Sequence, residues 1–162
     1  MARVYLSLGS NIDPETNLQT AIRELRWRFG ELELSDVYES EAVGFDGDDF
    51  LNMVVGLDSD ETPAGIVWQA ELIHEFVGRD RESGRYSSRP LDIDLLLYDD
   101  LVMNEPKMRL PRSDVLEYSF VLRPLAEIAP DLCHPVTGKT MNEHWQEFDP
   151  ASHPLRRVRV IL

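Results

Sequence analysis

Residues 91–98 read Leu91-Asp92-Ile93-Asp94-Leu95-Leu96-Leu97-Tyr98, the strongest strand signal in the chain. Side chains alternate across a strand, so Asp92 and Asp94 leave one face with Cα atoms roughly 6.5 Å apart. Leu91, Ile93 and Leu95 point the other way, toward a core. Other strand signals lie at Val4-Tyr5-Leu6-Ser7-Leu8, at residues 32–40 and at residues 50–57. The first is expected to end in a turn at Gly9-Ser10-Asn11. Two helices are expected between these strands. One opens on Asp13-Pro14 as N-cap and first helical residue, carries Leu18, Ile22, Leu25 and Phe29 on one face, and stops at Gly30. The other opens on Thr62-Pro63 and carries Ile66, Ala70, Ile73 and Val77. A third helix is expected over residues 120–128, ended by Pro130, and an edge strand over 157–162. Leu110-Pro111 begins a short irregular or helical piece. No helix separates the second and third strands, an order that predicts an α+β sandwich with a mostly antiparallel sheet.

Composition narrows the function. The 162 residues fit one domain, 1–162, with 43% hydrophobic residues to fill a core. No apolar run approaches the roughly 18 residues of a membrane span. Met1-Ala2-Arg3 leads into a strand and not a signal peptide, and the single Cys133 fits a reducing compartment. The expectation is a soluble, cytoplasmic protein. Sixteen basic against 30 acidic residues give −14, which disfavours nucleic acid and anionic membranes as partners. The histidines (His74, His134, His144, His153) and Cys133 show no zinc-ligand spacing, and core or exposed histidines are the better account.

Against that acidic background, residues 79–89 hold Arg79, Arg81, Arg85 and Arg89 with only Asp80 and Glu82, a local excess of positive charge. Guanidinium forks match phosphate oxygens, and several together can hold a polyphosphate. Arg89 lies three residues before Asp92. Paired carboxylates on an apolar strand repel one another unless a cation intervenes, and hard oxygen ligands suit magnesium when phosphates complete its shell. Alone, Asp92 and Asp94 could equally pair with arginines in a structural network; the adjoining basic island favours a metal–phosphate site. Phe50 and Asn52 share a strand face and could stack on and hydrogen-bond a flat heterocycle, although a core Phe50 and an edge Asn52 account for the pattern as well. Gly9-Ser10-Asn11 lacks the phosphate-loop pattern.

Together these pieces resemble the 6-hydroxymethyl-7,8-dihydropterin pyrophosphokinase family. The resemblance is carried by Tyr5-Leu6-Ser7-Leu8-Gly9-Ser10-Asn11, by residues 38–44 followed by Phe50-Leu51-Asn52, and by Gly78-Arg79-x-Arg81 leading to Arg89-Pro90-Leu91-Asp92-Ile93-Asp94. Phe120-Val121-Leu122-Arg123-Pro124-Leu125-Ala126-Glu127-Ile128-Ala129-Pro130 completes it, so that it runs from residue 3 to about residue 138.

The resemblance implies a ferredoxin-like fold and transfer of pyrophosphate from ATP, the co-substrate, to the pterin hydroxymethyl group. By motif position, Asp92 and Asp94 would hold two magnesium ions, and Arg79 and Arg89 would contact phosphates. Arg81 and Arg85 would lie on a loop closing over ATP, with Leu95 at the adenine and Arg112 on the ATP side. Phe50 and Phe120 would sandwich the pterin. Ser40, Asn52 and the backbone of Ala42 and Val43 would read its polar edges, with Gly9 and Asn11 nearby. The implied partners are these small molecules, and the expected state is a monomer.

Departures mark a divergent branch. Arg112 stands where the family usually has histidine, Tyr118 where it has arginine, His74 where it has glutamate, and Tyr86 where tryptophan is frequent. Arg112 and Tyr118 fall on the expected ATP side and leave open an alternative, a non-catalytic pterin- or nucleotide-binding paralogue.

Overall fold

The computed structural model describes residues 1–44, 46–78, 90–149 and 151–162. Strand β1 (Ala2–Ser10) runs two residues beyond the apolar alternation, so Gly9 and Ser10 are strand and not the expected turn. Both neighbours of β1 continue past Leu8 and extend the ladder to that point. Helix α1 (Pro14–Phe29) buries Leu18, Ala21, Ile22 and Leu25. Asp13 precedes it but does not cap it with its side chain. At φ 42 and ψ 52 it is left-handed, whereas side-chain capping needs an extended residue; its carbonyl instead accepts the Asn17 amide at 3.0 Å. Gly30 ends the helix at φ 82, a conformation open to glycine.

The run 32–40 divides into β2 (Glu33–Leu34) and β3 (Val37–Ser40). Both pair with β4 (Phe50–Ser59), which also pairs with β1 along the whole length of β1. Helix α2 (Pro63–Val77) is capped as expected, with the Thr62 hydroxyl accepting from the Gly65 amide at 3.0 Å. Strand β5 (Asp92–Tyr98) pairs with β1. A hairpin follows, β6 (Met103–Glu105) and β7 (Met108–Leu110), then α3 (Asp114–Glu117), α4 (Ser119–Ile128), α5 (Met141–Glu147) and β8 (Arg156–Val158). The sheet order is β5-β1-β4-β3-β8, every pairing antiparallel, with β8 a shorter edge strand than expected. This is the expected ferredoxin-like α+β sandwich. No helix among the described residues is long and apolar enough to cross a membrane.

The sheet has two covered faces. Helices α1 and α2 press Leu18, Ile22, Leu25, Ile66 and Ile73 onto Leu6, Leu8, Met53, Val55 and Ile93. On the other face Val121, Leu122 and Leu125 of α4, with Val115 and Met141, cover Tyr5, Val54 and Leu97. Full burial of side chains this size contributes about 1.5–3 kcal/mol each. Leu91, just before β5, and Ile93 and Leu95 within it belong to the α1–α2 face as the alternation predicts. A register shift opposite Tyr5 and Leu6 then sends both Leu96 and Leu97 to the α4 face.

His134 opens the turn before α5. Its Nδ1 accepts from the amides of Val136 and Thr137 at 3.2 and 3.3 Å. Burial, reinforced by the nearby His144, holds its pKa below the ordinary imidazole value. The unfolded chain therefore takes up this proton more readily, and the stability His134 contributes is lost as pH falls through the ordinary imidazole range toward the folded value. Thermal melts between pH 7.5 and 5 should show the melting temperature falling. His134→Asn, which keeps an acceptor near Nδ1 but does not titrate, should flatten that slope; equal slopes would remove His134 as its source.

Candidate active site

Strand register alone assembles most of the site. Tyr38 lies opposite Asn52, Asn52 opposite Gly9, and Gly9 opposite Asp92, forming one row across β3, β4, β1 and β5. Ser40 opposite Phe50 and Ser7 opposite Asp94 flank this row. Since i and i+2 share a face, Ser40, Phe50, Asn52, Gly9, Asp92 and Asp94 all face the α4 side. Beyond the end of the row lie Ala42 and the exposed Val43, which follow β3, and the buried Asn11, whose Nδ2 donates to the Asp48 carbonyl at 3.2 Å. Phe120 sits half-buried in the first turn of α4, its ring stacked on Tyr118 with centroids 4.9 Å apart. Arg79, Arg81, Arg85 and Arg89, with Tyr86, fall outside the described residues.

The polar end of the row is held by its own strands. Asn52 Nδ2 donates to the Tyr38 carbonyl at 3.1 Å and to Ser40 Oγ at 2.8 Å, which fixes the amide and turns Oδ1 toward Gly9. A Cβ on Gly9 would stand 3.5 Å from that oxygen and 3.8 Å from the Phe50 ring. Gly9 is needed for room, not for a special φ. Alanine fits there, whereas a branched side chain enters the space between Phe50 and Asn52. With the pterin placed against Phe50 and Asn52 as the resemblance implies, Gly9→Val should raise its KM at least about tenfold and leave the ATP KM near wild type, with Gly9→Ala close to wild type. An unchanged pterin KM in the valine variant would place that substrate elsewhere.

Beside β5, the edge strand among the described residues, a cavity of about 400 Å³ opens between α2 and the β6–β7 hairpin. Asp92, Asp94 and Leu95 reach it from the strand, with Ile66 and Ala70 of α2. Arg112 borders it, its Nη2 3.7 Å from Asp94 Oδ1 and its Nε 3.1 Å from Asp114 Oδ1. Burial opposes the charge on Arg112, yet Asp94, Asp114 and more weakly Asp92 hold its pKa above the ordinary arginine value. Among the described residues no three His, Cys, Asp or Glu side chains cluster as a metal cage. Two carboxylates on one strand face, with phosphate oxygens to complete the shell, nevertheless suit magnesium, which takes few protein ligands. The donor set fits the ion.

Four cavity residues escaped the sequence reading as site groups: Lys107 and Arg109 on the hairpin, and Glu71 and His74 on α2. Two cations two residues apart in so acidic a chain were the available signal for the first pair. In the sequence His74 stands out as a departure from the family pattern and reads as a core or exposed histidine, not as a site group. It is 2% exposed, and its Nε2 accepts the Ile93 amide at 2.8 Å, between the two aspartates. Its Nδ1 lies 3.3 Å from Glu71 Oε1. An accepting Nε2 places the ring proton on Nδ1, facing that carboxylate. Tyr118 also differs from expectation, since it packs against Phe120 of the expected pterin slot.

The family profile described as 7,8-dihydro-6-hydroxymethylpterin-pyrophosphokinase (HPPK) matches residues 5–130. The chain is 41% identical over 141 residues to the 2-amino-4-hydroxy-6-hydroxymethyldihydropteridine pyrophosphokinase of Porphyromonas gingivalis, covering 83% of this chain and 95% of that protein. It is 39% identical over 155 residues to the protein of the same name from Methylorubrum extorquens, covering 93% and 96%. The Aquifex aeolicus protein of that name is 36% identical over 146 residues, covering 88% and 90%. The crystal structure of wild-type Plasmodium falciparum HPPK-DHPS with pterin and p-hydroxybenzoate superposes with a TM-score of 0.73 at 14% identity. That match covers 90% of this chain and 43% of the longer Plasmodium chain, and it speaks to the fold. With most of its length matched by one profile and by relatives of similar size, the chain belongs to the 7,8-dihydro-6-hydroxymethylpterin-pyrophosphokinase family.

Proposed function

We propose that this chain transfers the terminal pyrophosphoryl group of ATP to the hydroxymethyl group of 6-hydroxymethyl-7,8-dihydropterin in folate biosynthesis, with magnesium held by Asp92 and Asp94. The observation that carries the residue assignment is the cross-strand row, which lines up an amide, a gap beside an aromatic ring and a carboxylate pair on one sheet face. Phe50 and Phe120 serve as pterin walls, and Asn52 and Ser40 read the ring's polar edge. The edge cavity receives the nucleotide, with Leu95 on its apolar side and Arg112 and the hairpin cations near the phosphates. Arg79, Arg81, Arg85 and Arg89 complete the phosphate clamp.

The substrate hydroxyl oxygen forms a bond to the β-phosphorus, the bond from that phosphorus to the oxygen bridging the α-phosphate breaks, and AMP leaves with that oxygen. The hydroxyl proton passes to solvent. No protein nucleophile is needed, so the chain's own work is positioning and charge neutralisation. Two magnesium ions, when bound, supply positive charge to the triphosphate.

The direct test incubates the protein with magnesium, ATP and the dihydropterin and measures AMP. Stoichiometric AMP and pterin pyrophosphate support the reading. The ion pair between Arg112 and Asp94 is the observation that favours a binding paralogue, and AMP no higher than background would establish that alternative.

A further inference from the structure

The family profile ends at residue 130, yet residue 153 returns to the candidate site. His153 presents its ring edge-on to both aromatics at the start of α4, with centroids 5.4 Å from Tyr118 at 65° and 6.2 Å from Phe120 at 84°. Tyr118 in turn stacks on Phe120 at 4.9 Å and 21°. The three rings meet in the offset-stacked and edge-to-face geometries that aromatic quadrupoles favour. The backbone is tied at the same point, where the buried Ser119 hydroxyl donates to the His153 carbonyl. The Nδ1 atom of His153 is buried and has no hydrogen-bond partner among the described residues, so ring contact and this tether locate the imidazole.

Phe120 is half-buried in the first turn of a helix, where core packing holds only part of its ring. A wall for a flat heterocycle is useful when its plane is set before the ligand arrives, because ordering it during binding costs affinity. We propose that Tyr118 and His153 are positioning residues that fix the ring plane of Phe120, and that the segment 151–155 is thereby part of the pterin site. The inference rests on Phe120 serving as a pterin wall. It gives a role to Tyr118, which replaces an arginine usual in the family, and to a C-terminal segment beyond the profile.

The test compares ring-removing and ring-keeping variants: Tyr118→Leu and His153→Leu against Tyr118→Phe and His153→Phe, with Phe120→Leu as reference. Pterin affinity is read by fluorescence titration of 6-hydroxymethyl-7,8-dihydropterin with magnesium and a non-hydrolysable ATP analogue present. KM values for pterin and ATP are measured separately. The leucine variants should weaken pterin binding about 3- to 10-fold with the ATP KM unchanged, and the phenylalanine variants should stay near wild type. If Tyr118→Leu does not fold, the His153 pair decides. Weakened pterin binding in Phe120→Leu but not in the other leucine variants overturns the inference alone. So does an equal rise in the ATP KM, or no rescue by phenylalanine. Unchanged pterin binding in Phe120→Leu removes the pterin-wall reading of Phe120 and the inference with it.

Discussion

Asp92→Ala and Asp94→Ala should each lower kcat on the order of 10³-fold while leaving the melting temperature within about 3 °C of wild type. The two halves of this expectation have different origins. On the proposed metal role catalysis falls because these are the two carboxylates that β5 sends to that sheet face, and phosphoryl-type transfer depends on charge neutralisation. Stability is spared because both side chains sit half-exposed at the sheet edge, with their neighbours Leu91, Ile93 and Leu95 facing the opposite core. Losing Asp94 also leaves Arg112 with Asp114, 3.1 Å from its Nε. Steady-state AMP release across a magnesium titration, beside thermal melts, measures both. Near-wild-type turnover in both variants at saturating magnesium would refute the metal assignment. A collapse of the melting temperature would show instead that the carboxylates hold the strand.

The same strand shows why so much of the candidate site's arrangement is legible in the sequence. Period-two alternation fixes which residues share a face, so the sequence alone pairs Asp92 with Asp94, and Phe50 with Asn52. What alternation within a strand cannot give is register between strands. Only the β1–β4 and β1–β5 ladders bring Gly9 between Asn52 and Asp92. Glycine and serine usually mark a turn, so Gly9-Ser10 reads as one in the sequence, whereas in the structure the glycine leaves space inside a ladder. The β6–β7 hairpin was missed because two three-residue strands around Pro106 and Lys107 carry no period worth counting, and the cavity cations went with it. Helix α5 did carry a readable signal. Thr140 and Glu143 form a reciprocal capping box, with bonds of 3.1 Å in each direction, but seven residues make too short an apolar pattern to attract notice. Histidine was the least legible of all: His74 and His134 were expected as core or surface residues, and core they are, but what each accepts depends on backbone amides brought near by folding.

His74→Leu should lower the melting temperature by about 3–10 °C and depress kcat/KM for ATP, and His74→Gln should restore most of both. Strand β5 is the edge of the sheet among the described residues, so no described strand pairs with its outward amides. On that side the Arg112 amide donates to the Leu96 carbonyl at 2.9 Å, and the buried His74 ring accepts from Ile93. Leucine is of similar bulk but accepts nothing, and a buried N–H without a partner costs about 1–3 kcal/mol. The affected residue lies between Asp92 and Asp94, so slack there becomes slack in both carboxylates, and a displacement of this kind lowers catalysis without touching substrate. Glutamine extends an acceptor oxygen to about the reach of Nε2 and adds no charge beside the carboxylates, which a glutamate at this position would do. The comparison separates two roles for the ring. If His74 merely fills volume, leucine is tolerated better than glutamine. If it anchors the amide, glutamine is the better substitute in melts, in ATP kinetics and in hydrogen exchange at Ile93, where its amide should stay protected in the glutamine variant and exchange fast in the leucine one.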